Sequence, residues 1–447
     1  MPKKKAAFDS LFVPEEEQPY PIPENWCWTY LSCVAQWGSG GTPSRKILAY
    51  YDGEISWIKT GELNDELIYE SEEHISSEAI ANSSAKLFPI HTVIIAMYGA
   101  TIGKVGILEI EAATNQACAC AVSSTAIDYK YLFYYAKSQK EAFIKKGKGG
   151  AQPNISQEII KTHEIPLPPL PEQHRIVNCI ESLFAKLDEA KEKAQAVVDG
   201  FELRKSAILH KAFTGDLTEQ WRKEHGEGLD GWKNTTLSEI VSGFKYGTSE
   251  KSTYNNTGMP VLRIPNVGTG TLSFEDMKYL AHNDVDEANQ VHENDLLIIR
   301  SNGSRDLVGK CAIVPALSRK FAYASFLIRI KPSEWILPDY LALYLNSTDA
   351  RTQMFKKAKS SAGIHNINSQ ELGSITINVP TIYEQSAIIA VLNNLLAKGQ
   401  QAKEAAEAVL IQIDTMKKAI LARAFRGELG TNDPAEEWAG EMVKAVL

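Results

Sequence analysis

Two lysine clusters are the groups in this 447-residue sequence that point most directly to a chemistry. Each lies beside glycine or serine, at corresponding points of the two halves of the chain; the clusters are Lys145, Lys146 and Lys148, and Lys356, Lys357 and Lys359. Paired ammonium groups can clamp phosphates, whereas a charge run is often only a solvated face. The net charge of −8 does not decide between these readings, because binding depends on where basic groups lie.

Motifs for catalysis are missing from the sequence. It contains no Asn/Asp-Pro-Pro-aromatic tetrapeptide of the kind that holds a flipped adenine, no Gly-x-Gly-x-x-Gly and no His-Glu-x-x-His. The segment from Gly99 to Lys104 looks like a phosphate-binding loop, but it has one residue too few between its glycines, and Val105 stands where Ser or Thr is needed. We therefore expect a chain that binds rather than catalyses, with no metal and no cofactor of its own.

The elements that must position the lysines are duplicated. Residues 209–217 (LHKAFTGDL) return as residues 421–429 (LARAFRGEL), and Glu172-Gln173 returns as Glu384-Gln385, both at an offset of 212. Such self-similarity predicts a pseudo-twofold molecule. Duplex DNA, which has approximate twofold symmetry, is a natural partner for it.

Apolar residues at 3-4 spacing follow the Glu-Gln pair in each copy. They predict two long helices packed as a coiled coil, and some 40 residues would make a rod of roughly 60 Å. The predicted seam comprises Ile176, Ile180, Leu183, Leu187, Ala190, Ala194, Val197, Phe201 and, after a break at Arg204, Ile208, then Ile388, Leu392, Leu395, Gly399, Ala402, Ala406, Val409, Ile413, Met416 and Ile420.

The other half of each copy reads as mixed α/β with short strands. Residues 93–97 (VIIAM) and 296–300 (LLIIR) are compact apolar strands, and each leads into a glycine-containing loop. A shared scaffold with different loops suits two readers of different sequences. The fold class predicted is α/β (α+β), with two similar mixed domains and two long helices.

These motifs, in this order and twice over, resemble the DNA specificity subunits of type I restriction-modification systems. The resemblance covers nearly the whole chain and is carried by Pro23-Glu24-Asn25-Trp26, WIKTGE at 57–62, YGATIGK at 98–104, PPLPEQ at 168–173 and AFRGEL at 424–429. The second copy departs from it at residues 261–265 (VLRIP), so the two domains need not place their DNA contacts identically.

The resemblance implies two target-recognition domains held apart by antiparallel helices. Each domain would read one half of a bipartite DNA sequence, and two methyltransferase (modification) subunits carrying S-adenosylmethionine would dock on the chain. Restriction (motor-nuclease) subunits using ATP and Mg would join them for cleavage. Two alternatives stay open, namely a specificity subunit of a methylation-only or other phage-defence complex, and a coiled-coil scaffold that does not bind DNA.

Reading a sequence in the major groove requires side chains that hydrogen-bond base edges, chiefly Arg, Lys, Asn and Gln, with Ser and Thr as generalists. The candidates are Arg45, Lys59, Tyr98, Thr101 and Gln152 in the first domain, and Arg263, Arg300, Asn302, Ser304, Arg305 and His365 in the second. The alternative for each residue is an ordinary surface side chain. The two lysine clusters suit phosphates instead, which position a protein on DNA without specifying sequence.

Trp221 and Trp438 each follow a predicted long helix and are candidate anchors for a partner subunit, because Trp is enriched at interface hot spots. No apolar run reaches the roughly 20 residues that span a bilayer, and no signal peptide is visible; a cytoplasmic location is expected. The predicted segments are a flexible tail (1–19), a recognition domain (20–165), a long helix (166–217), a linker (218–230), a second recognition domain (231–379), a second long helix (380–430) and a tail (431–447).

Overall fold

The computed structural model describes residues 11–147, 154–361 and 363–446. The chain forms two compact units, one of residues 1–193 with 408–447 and the other of residues 194–407. We call them unit 1 and unit 2. Each contains one recognition domain, the first part of one long helix and the last part of the other.

The described residues contain short strands and helices of very unequal length. The strands are β1 Cys27–Tyr30, β2 Ala35–Ser39, β3 Ile55–Ile58, β4 Glu66–Ile68, β5 His74–Ile75, β6 Leu87–Phe88, β7 Val93–Ala96, β8 Val105–Leu108, β9 Ala112–Thr114, β10 Cys118–Ser123, β11 Glu164–Leu167, β12 Lys233–Thr236, β13 Val241–Tyr246, β14 Pro260–Leu262, β15 Lys278–Tyr279, β16 Leu296–Ile299, β17 Ser301–Asn302, β18 Cys311–Ile313, β19 Ala322–Tyr323, β20 Leu327–Pro332, β21 Lys359–Ser361, β22 Ile364–Asn366 and β23 Thr376–Val379. The helices are α1 Leu31–Val34, α2 Ser77–Ala81, α3 Tyr129–Ser138, α4 Lys140–Lys146, α5 Gln157–Lys161, α6 Leu170–Asp199, α7 Phe201–Thr214, α8 Glu219–His225, α9 Leu237–Ile240, α10 Pro338–Leu345, α11 Thr348–Lys357, α12 Ser369–Gly373, α13 Ile382–Ala424 and α14 Gly440–Val446.

Unit 1 is built on two main sheets, in the orders β2-β10-β7-β8-β4 and β5-β3-β9-β6, with β1 and β11 paired beside them. The central strand β7 is buried on both faces, as the continuous apolar run at residues 93–97 predicts. One face of its sheet packs on α3 and on the long helices, with Tyr131, Ile176 and Phe425 in one cluster. The sheet therefore holds the loop after β7 at a fixed place.

Unit 2 repeats this plan in the orders β13-β20-β16-β18 and β15-β14-β19, again with a two-stranded pair, β12 and β23. Its central strand β16 is also fully buried. A third sheet, β17-β22-β21, continues directly from β16. The predicted class, two similar mixed α/β domains with two long helices, is confirmed.

The long helices pair antiparallel within each unit. In unit 1, Glu172 near the start of α6 accepts a hydrogen bond from Thr431 beyond the end of α13, whereas the later Asp188 pairs with the earlier Lys417. In unit 2, the Lys403 ammonium lies 5.1 Å from the ring centre of Phe201, and further along the chain Thr218 bonds to Glu384 near the start of α13. Gly200 separates α6 from α7, whereas α13 runs unbroken for 43 residues.

The predicted seam is wrong by one residue along part of α13. Ala402, Val409 and Met416 are exposed, while Lys403, Leu410 and Lys417 are half-buried. Since Ala406 and Ile413 are buried seven residues apart, a 3-4 spacing is also completed by positions 403, 410 and 417. An apolar pattern does not include Lys403 and Lys417 because their side chains are charged; in the structure their ammonium groups lie over Phe201 and Phe184, at 5.1 and 5.0 Å, an attractive arrangement.

The duplicated motif at the helix ends supplies one buried phenylalanine to each unit. Phe213, at the end of α7, packs edge-on against Tyr340 and Tyr344 of α10, with centroids 5.3 and 5.0 Å away. Phe425, just after α13, packs in the same way against Tyr131 and Tyr135 of α3, at 5.3 and 5.1 Å. Each long helix is therefore fixed at its far end to a recognition domain.

The segments predicted as tails are packed where the structure describes them. Val13 is 3% exposed and its N–H donates to the Trp28 carbonyl at 3.0 Å, so this part of the segment packs on the first recognition domain, whereas residues 14–17 are exposed. Residues 440–446 form α14, with Val443 buried. Within the described part of the chain, no helix is both long and apolar enough to cross a bilayer.

Candidate nucleic-acid interface

The β17-β22-β21 ribbon gathers several of the candidate base-reading residues of unit 2. Ser301 and Asn302 on β17 pair with Asn366 and His365 on β22, which pairs with β21 from Lys359 to Ser361. Asn302 and His365 are thus partners on adjacent strands, and the backbone of Lys359 pairs with Asn366 on the third strand.

Arg300 stands at the junction of β16 and this ribbon. Its Nε donates to Asn366 Oδ1 at 3.3 Å, and its guanidinium lies 4.5 Å from the ring centre of Tyr246. These contacts hold a planar donor group in one orientation, which a bidentate contact to a base requires. Tyr246 and Asn366 were missed by sequence reasoning, and no signal in the sequence connects them to Arg300.

The loop after β17 carries Ser304 and Arg305, both exposed. The Ser304 N–H donates to Asn302 Oδ1 at 2.7 Å, which shapes the turn. The Arg305 guanidinium lies 4.7 Å from the ring centre of Phe355 on α11, and Arg351 lies 5.0 Å from the same ring. Arg351 was missed, although its position four residues before Phe355 on a helix places both on one face.

Two candidate phosphate-binding lysines lie in the last turn of α11, the helix that contacts this loop through Arg351. Lys356 and Lys357 are exposed and follow Phe355 directly. Arg351 donates to the Asp306 carbonyl at 2.7 Å, which ties α11 to the loop; burial lowers the pKa of Arg351. The ribbon, the loop and the basic end of α11 form what we call the unit 2 reading surface.

Arg263, another candidate base-reading residue of unit 2, is held by an ion pair. It lies at the turn after β14, is 18% exposed at its side chain, and makes an ion pair of 3.0 Å with Asp276. The same guanidinium also donates to the Asp276 carbonyl. A base contact from Arg263 would require this ion pair to open.

In unit 1 the corresponding loop follows β7. Tyr98 is 46% exposed and pairs antiparallel with Asn154, as Ser301 does with Asn366. The Thr101 hydroxyl donates to the Tyr98 carbonyl at 2.8 Å, and Gly99 and Gly103 have φ of 63° and 73°, a backbone region that favours glycine. The two units thus present their candidates at equivalent places. Gln152 and Lys148 lie outside the described residues, as does the side chain of Lys359.

Arg45 and Lys59 share one carboxylate in unit 1. Glu73 pairs with Arg45 at 2.6 Å and with Lys59 at 2.9 Å, and Lys59 also reaches Glu72. The hydrogen bonds that Arg45 and Lys59 donate to Glu73 raise the pKa of both bases and lower the pKa of Glu73. Arg45 also lies 4.1 Å from the ring centre of Tyr51. Both bases are thus engaged, and DNA contacts from them would compete with Glu73.

The lysines of the first cluster differ in the contacts that they make. Lys145 is exposed, whereas Lys146 Nζ donates to Nδ1 of the buried His163 at 2.8 Å. His163 Nε2 in turn lies 3.3 Å from Gln139 Oε1, so His163 is a neutral ring that carries its proton on Nε2. Burial, and then the Lys146 ammonium, lower the pKa of His163 from 6.5 to about 4, and Glu164 opposes them.

The lowered pKa of His163 predicts that the stability of unit 1 depends on pH. The pKa of His163 is lower in the folded protein than in the unfolded chain, so a falling pH protonates the unfolded chain first and favours unfolding. The contribution of His163 to the free energy of unfolding is therefore complete above pH 6.5, and about 3 kcal/mol is lost as the pH falls towards 4. We expect an NMR titration of His163 to give a pKa well below 6, and unit 1 to weaken across this range. The His163→Asn variant should lose that part of the pH slope; an unchanged slope would contradict the assignment.

The two candidate partner anchors are engaged within their own units. Trp438 Nε1 donates to the Trp26 carbonyl at 3.0 Å, and its ring packs on Phe12 with centroids 5.2 Å apart. Trp221 is half-buried and stacks on His225 at 4.2 Å. Among the described residues, no group of three or more His, Cys, Asp or Glu side chains is placed to hold a metal ion.

The loops that carry the candidate residues are placed alike on the two duplicated α/β units, each beyond a buried central strand. The family model of the type I restriction modification DNA specificity domain matches residues 23–198 and 230–408. The matches cover more than half of the chain, which therefore belongs to this family. Members of the family provide DNA specificity and are not themselves catalytic, so the chain is a specificity subunit and not an enzyme.

Named relatives agree over nearly the full length. The chain is 25% identical over 426 residues to the specificity subunit of the type I restriction enzyme EcoKI from Escherichia coli K12, covering 93% of this chain and 91% of that protein. It is 24% identical to the StySPI specificity subunit from Salmonella potsdam, with the same coverages. The solved HsdS subunit of Thermoanaerobacter tengcongensis shares its fold, with a TM-score of 0.65 and 18% identity over 92% of this chain and all of that one.

Proposed function

We propose that the chain directs a type I restriction-modification complex to a two-part DNA sequence, with each unit reading one half. The observation that carries this proposal is the equivalent placement of two polar loops, each directly after the buried central strand of its unit. In unit 2 the ribbon strand β17 follows the central strand, and the loop after β17 is tied to α11 by the hydrogen bond from Arg351 to the Asp306 carbonyl. Two separated loops on similar scaffolds suit two different half-sites.

Within this proposal the candidate residues divide by role. Base contacts come from exposed or half-buried polar side chains on the loops and ribbon, and phosphate contacts come from exposed lysines. The base readers proposed are Tyr98, Thr101 and Gln152 in unit 1 and Arg300, Asn302, Ser304, Arg305 and His365 in unit 2, with Arg45, Lys59 and Arg263 contributing after their ion pairs open. The phosphate clamps proposed are Lys145, Lys146, Lys148, Lys356, Lys357 and Lys359.

The partners follow from the family. Two modification subunits would bring S-adenosylmethionine, and restriction subunits would bring ATP and Mg, in the cytoplasm. Trp221, which is partly exposed, and Trp438, which is 38% exposed, both remain candidate anchors for a partner.

The proposal is tested by mapping methylated adenines in genomes of cells that express this chain with its modification subunit, and of cells that lack this chain. Modified adenines in one gapped motif would support it and would give both half-sites and the spacer. With the modification subunit active, no new motif would contradict the proposal. A challenge with unmodified phage DNA then separates a restricting complex from one that only methylates.

Arg305 and Lys357 should differ in the kind of affinity they contribute. We expect Arg305→Ala to cost about 1–3 kcal/mol at one base position, and Lys357→Ala to weaken binding to all sequences alike and to reduce the salt dependence. Competition binding of the assembled complex to single-base variants of the target measures both. Equal losses from the two variants on random DNA would remove Arg305 from the readers.

A further inference from the structure

A buried glutamine at the start of each long helix makes the same set of hydrogen bonds in both units. In unit 1, Gln173 Nε2 donates to the carbonyls of Ala126 and Pro168 at 3.0 and 2.9 Å, and its Oε1 accepts from the Asp128 N–H at 2.8 Å. Gln173 is fully buried. All three partners are backbone groups, so these hydrogen bonds do not depend on which side chains the partner residues carry.

In unit 2, Gln385 repeats the pattern. Its Nε2 donates to the carbonyls of Trp335 and Pro380 at 3.0 and 2.9 Å, and its Oε1 accepts from the Leu337 N–H at 2.8 Å. Two carbonyls and one N–H in each set fix which end of the amide is oxygen. The surrounding side chains differ between the copies, as Ala126 and Trp335 do, yet the three bonds are kept.

The glutamines connect the start of a long helix to the start of a domain helix. Asp128 is the N-cap of α3 and Leu337 is the N-cap of α10. These are the helices whose tyrosines receive Phe425 and Phe213. Apolar contact with a phenylalanine is non-directional, whereas hydrogen bonds weaken steeply when their angle changes. The amide is therefore the part of this junction that resists rotation of the domain about the helix.

We infer that Gln173 and Gln385 are positioning residues that set the angle at which each recognition domain is held on its long helix, and with it the spacing of the half-sites that the chain accepts. This inference rests on the proposed function. Neither glutamine touches DNA; each acts through the domain that does. Loosening one joint widens the range of half-site spacings that the complex tolerates, and leaves the bases that are read unchanged.

The test uses Gln385→Met and Gln173→Met, which keep the side chain's length and apolar packing but remove its polar ends. The assembled methyltransferase complex is given duplexes carrying both mapped half-sites with the native spacer or with one base pair added or removed. We expect the preference for the native spacer to fall roughly tenfold in either variant, while base preferences within each half-site stay as in the wild type.

Gln353→Met is the matched control. Gln353 makes comparable bonds, to Tyr344 Oη, the Thr376 carbonyl, N–H and hydroxyl, but it links α11 to β23 inside the recognition domain. It should lower affinity for every spacer by one factor. The inference is overturned if the Gln173→Met and Gln385→Met variants also lower the affinity for all spacers by an equal factor. It is also overturned if these variants do not assemble while Gln173→Ala and Gln385→Ala assemble and keep the wild-type spacer preference. A wild-type complex without any gapped target would instead refute the proposed function.

Discussion

Phe213→Ala is expected to lower the free energy of unfolding of unit 2 by about 3–5 kcal/mol, as for large-to-small changes of buried aromatic side chains. Phe213 is 3% exposed and lies between Tyr340 and Tyr344. The loss combines transfer of the ring to water with the cavity it leaves. Hydrogen exchange followed by mass spectrometry measures it, because protection factors report local free energies of opening.

Phe425→Ala provides the matched control in the other unit. Phe425 is 2% exposed and meets Tyr131 and Tyr135 in the same edge-on geometry. We expect its protection losses in unit 1, and those of Phe213→Ala in unit 2. Losses that fell in the opposite units, or equally in both, would contradict the assignment of each helix end to its unit. A single melting temperature would not suffice, since a chain of two units need not unfold in one step.

Arg222→Met is expected to destabilise unit 2 by about 3–5 kcal/mol, because it leaves a buried carboxylate without its cation. Arg222 Nη1 donates to Glu384 Oε1 at 2.6 Å, and their side chains are 7% and 1% exposed. Thr218 and Trp232 also donate to this carboxylate, both at 2.7 Å. Chemical denaturation, read by exchange within unit 2, gives the size of the loss.

The double variant Arg222→Met/Glu384→Gln separates the missing cation from lost packing. We expect it to recover much of the stability, since removing both charges of a buried pair costs far less than removing one. No recovery would show that packing of the arginine, and not its charge, is what matters.

Unit 1 offers a natural comparison. Glu172 stands where Glu384 does and accepts from Trp26 Nε1 at 2.8 Å in the same way, but its other donors are Asn432 at 2.8 Å and Thr431 at 3.3 Å. Asn432→Ala therefore removes a neutral donor and should cost about 1–3 kcal/mol. The repeated glutamate is predictable from the sequence, whereas the difference in its partners is not, because Arg222 and Asn432 lie far from it along the chain.

The same division holds for the candidate interface. The apolar strands at 93–97 and 296–300 and the polar loops after them follow from local patterns, and they proved to be equivalent places in the two units. That Arg45 and Lys59 share Glu73, that Lys146 binds His163, and that Arg300 rests on Tyr246 could not be predicted. A sequence shows which residues can donate hydrogen bonds, but neighbours in space decide which donors remain available.

The sequence by itself determined the duplication, the two α/β scaffolds, the two long helices and the family. It placed Phe213 and Phe425, and Gln173 and Gln385, at equivalent positions through their common offset of 212. Only the tertiary structure decided which domain each helix end joins: Phe213 packs on the second recognition domain, which follows it, whereas Phe425 packs on the first recognition domain and not on the second, which directly precedes it. The physical reason is the antiparallel pairing, in which the end of one helix meets the start of the other, and a periodic pattern carries no information about direction.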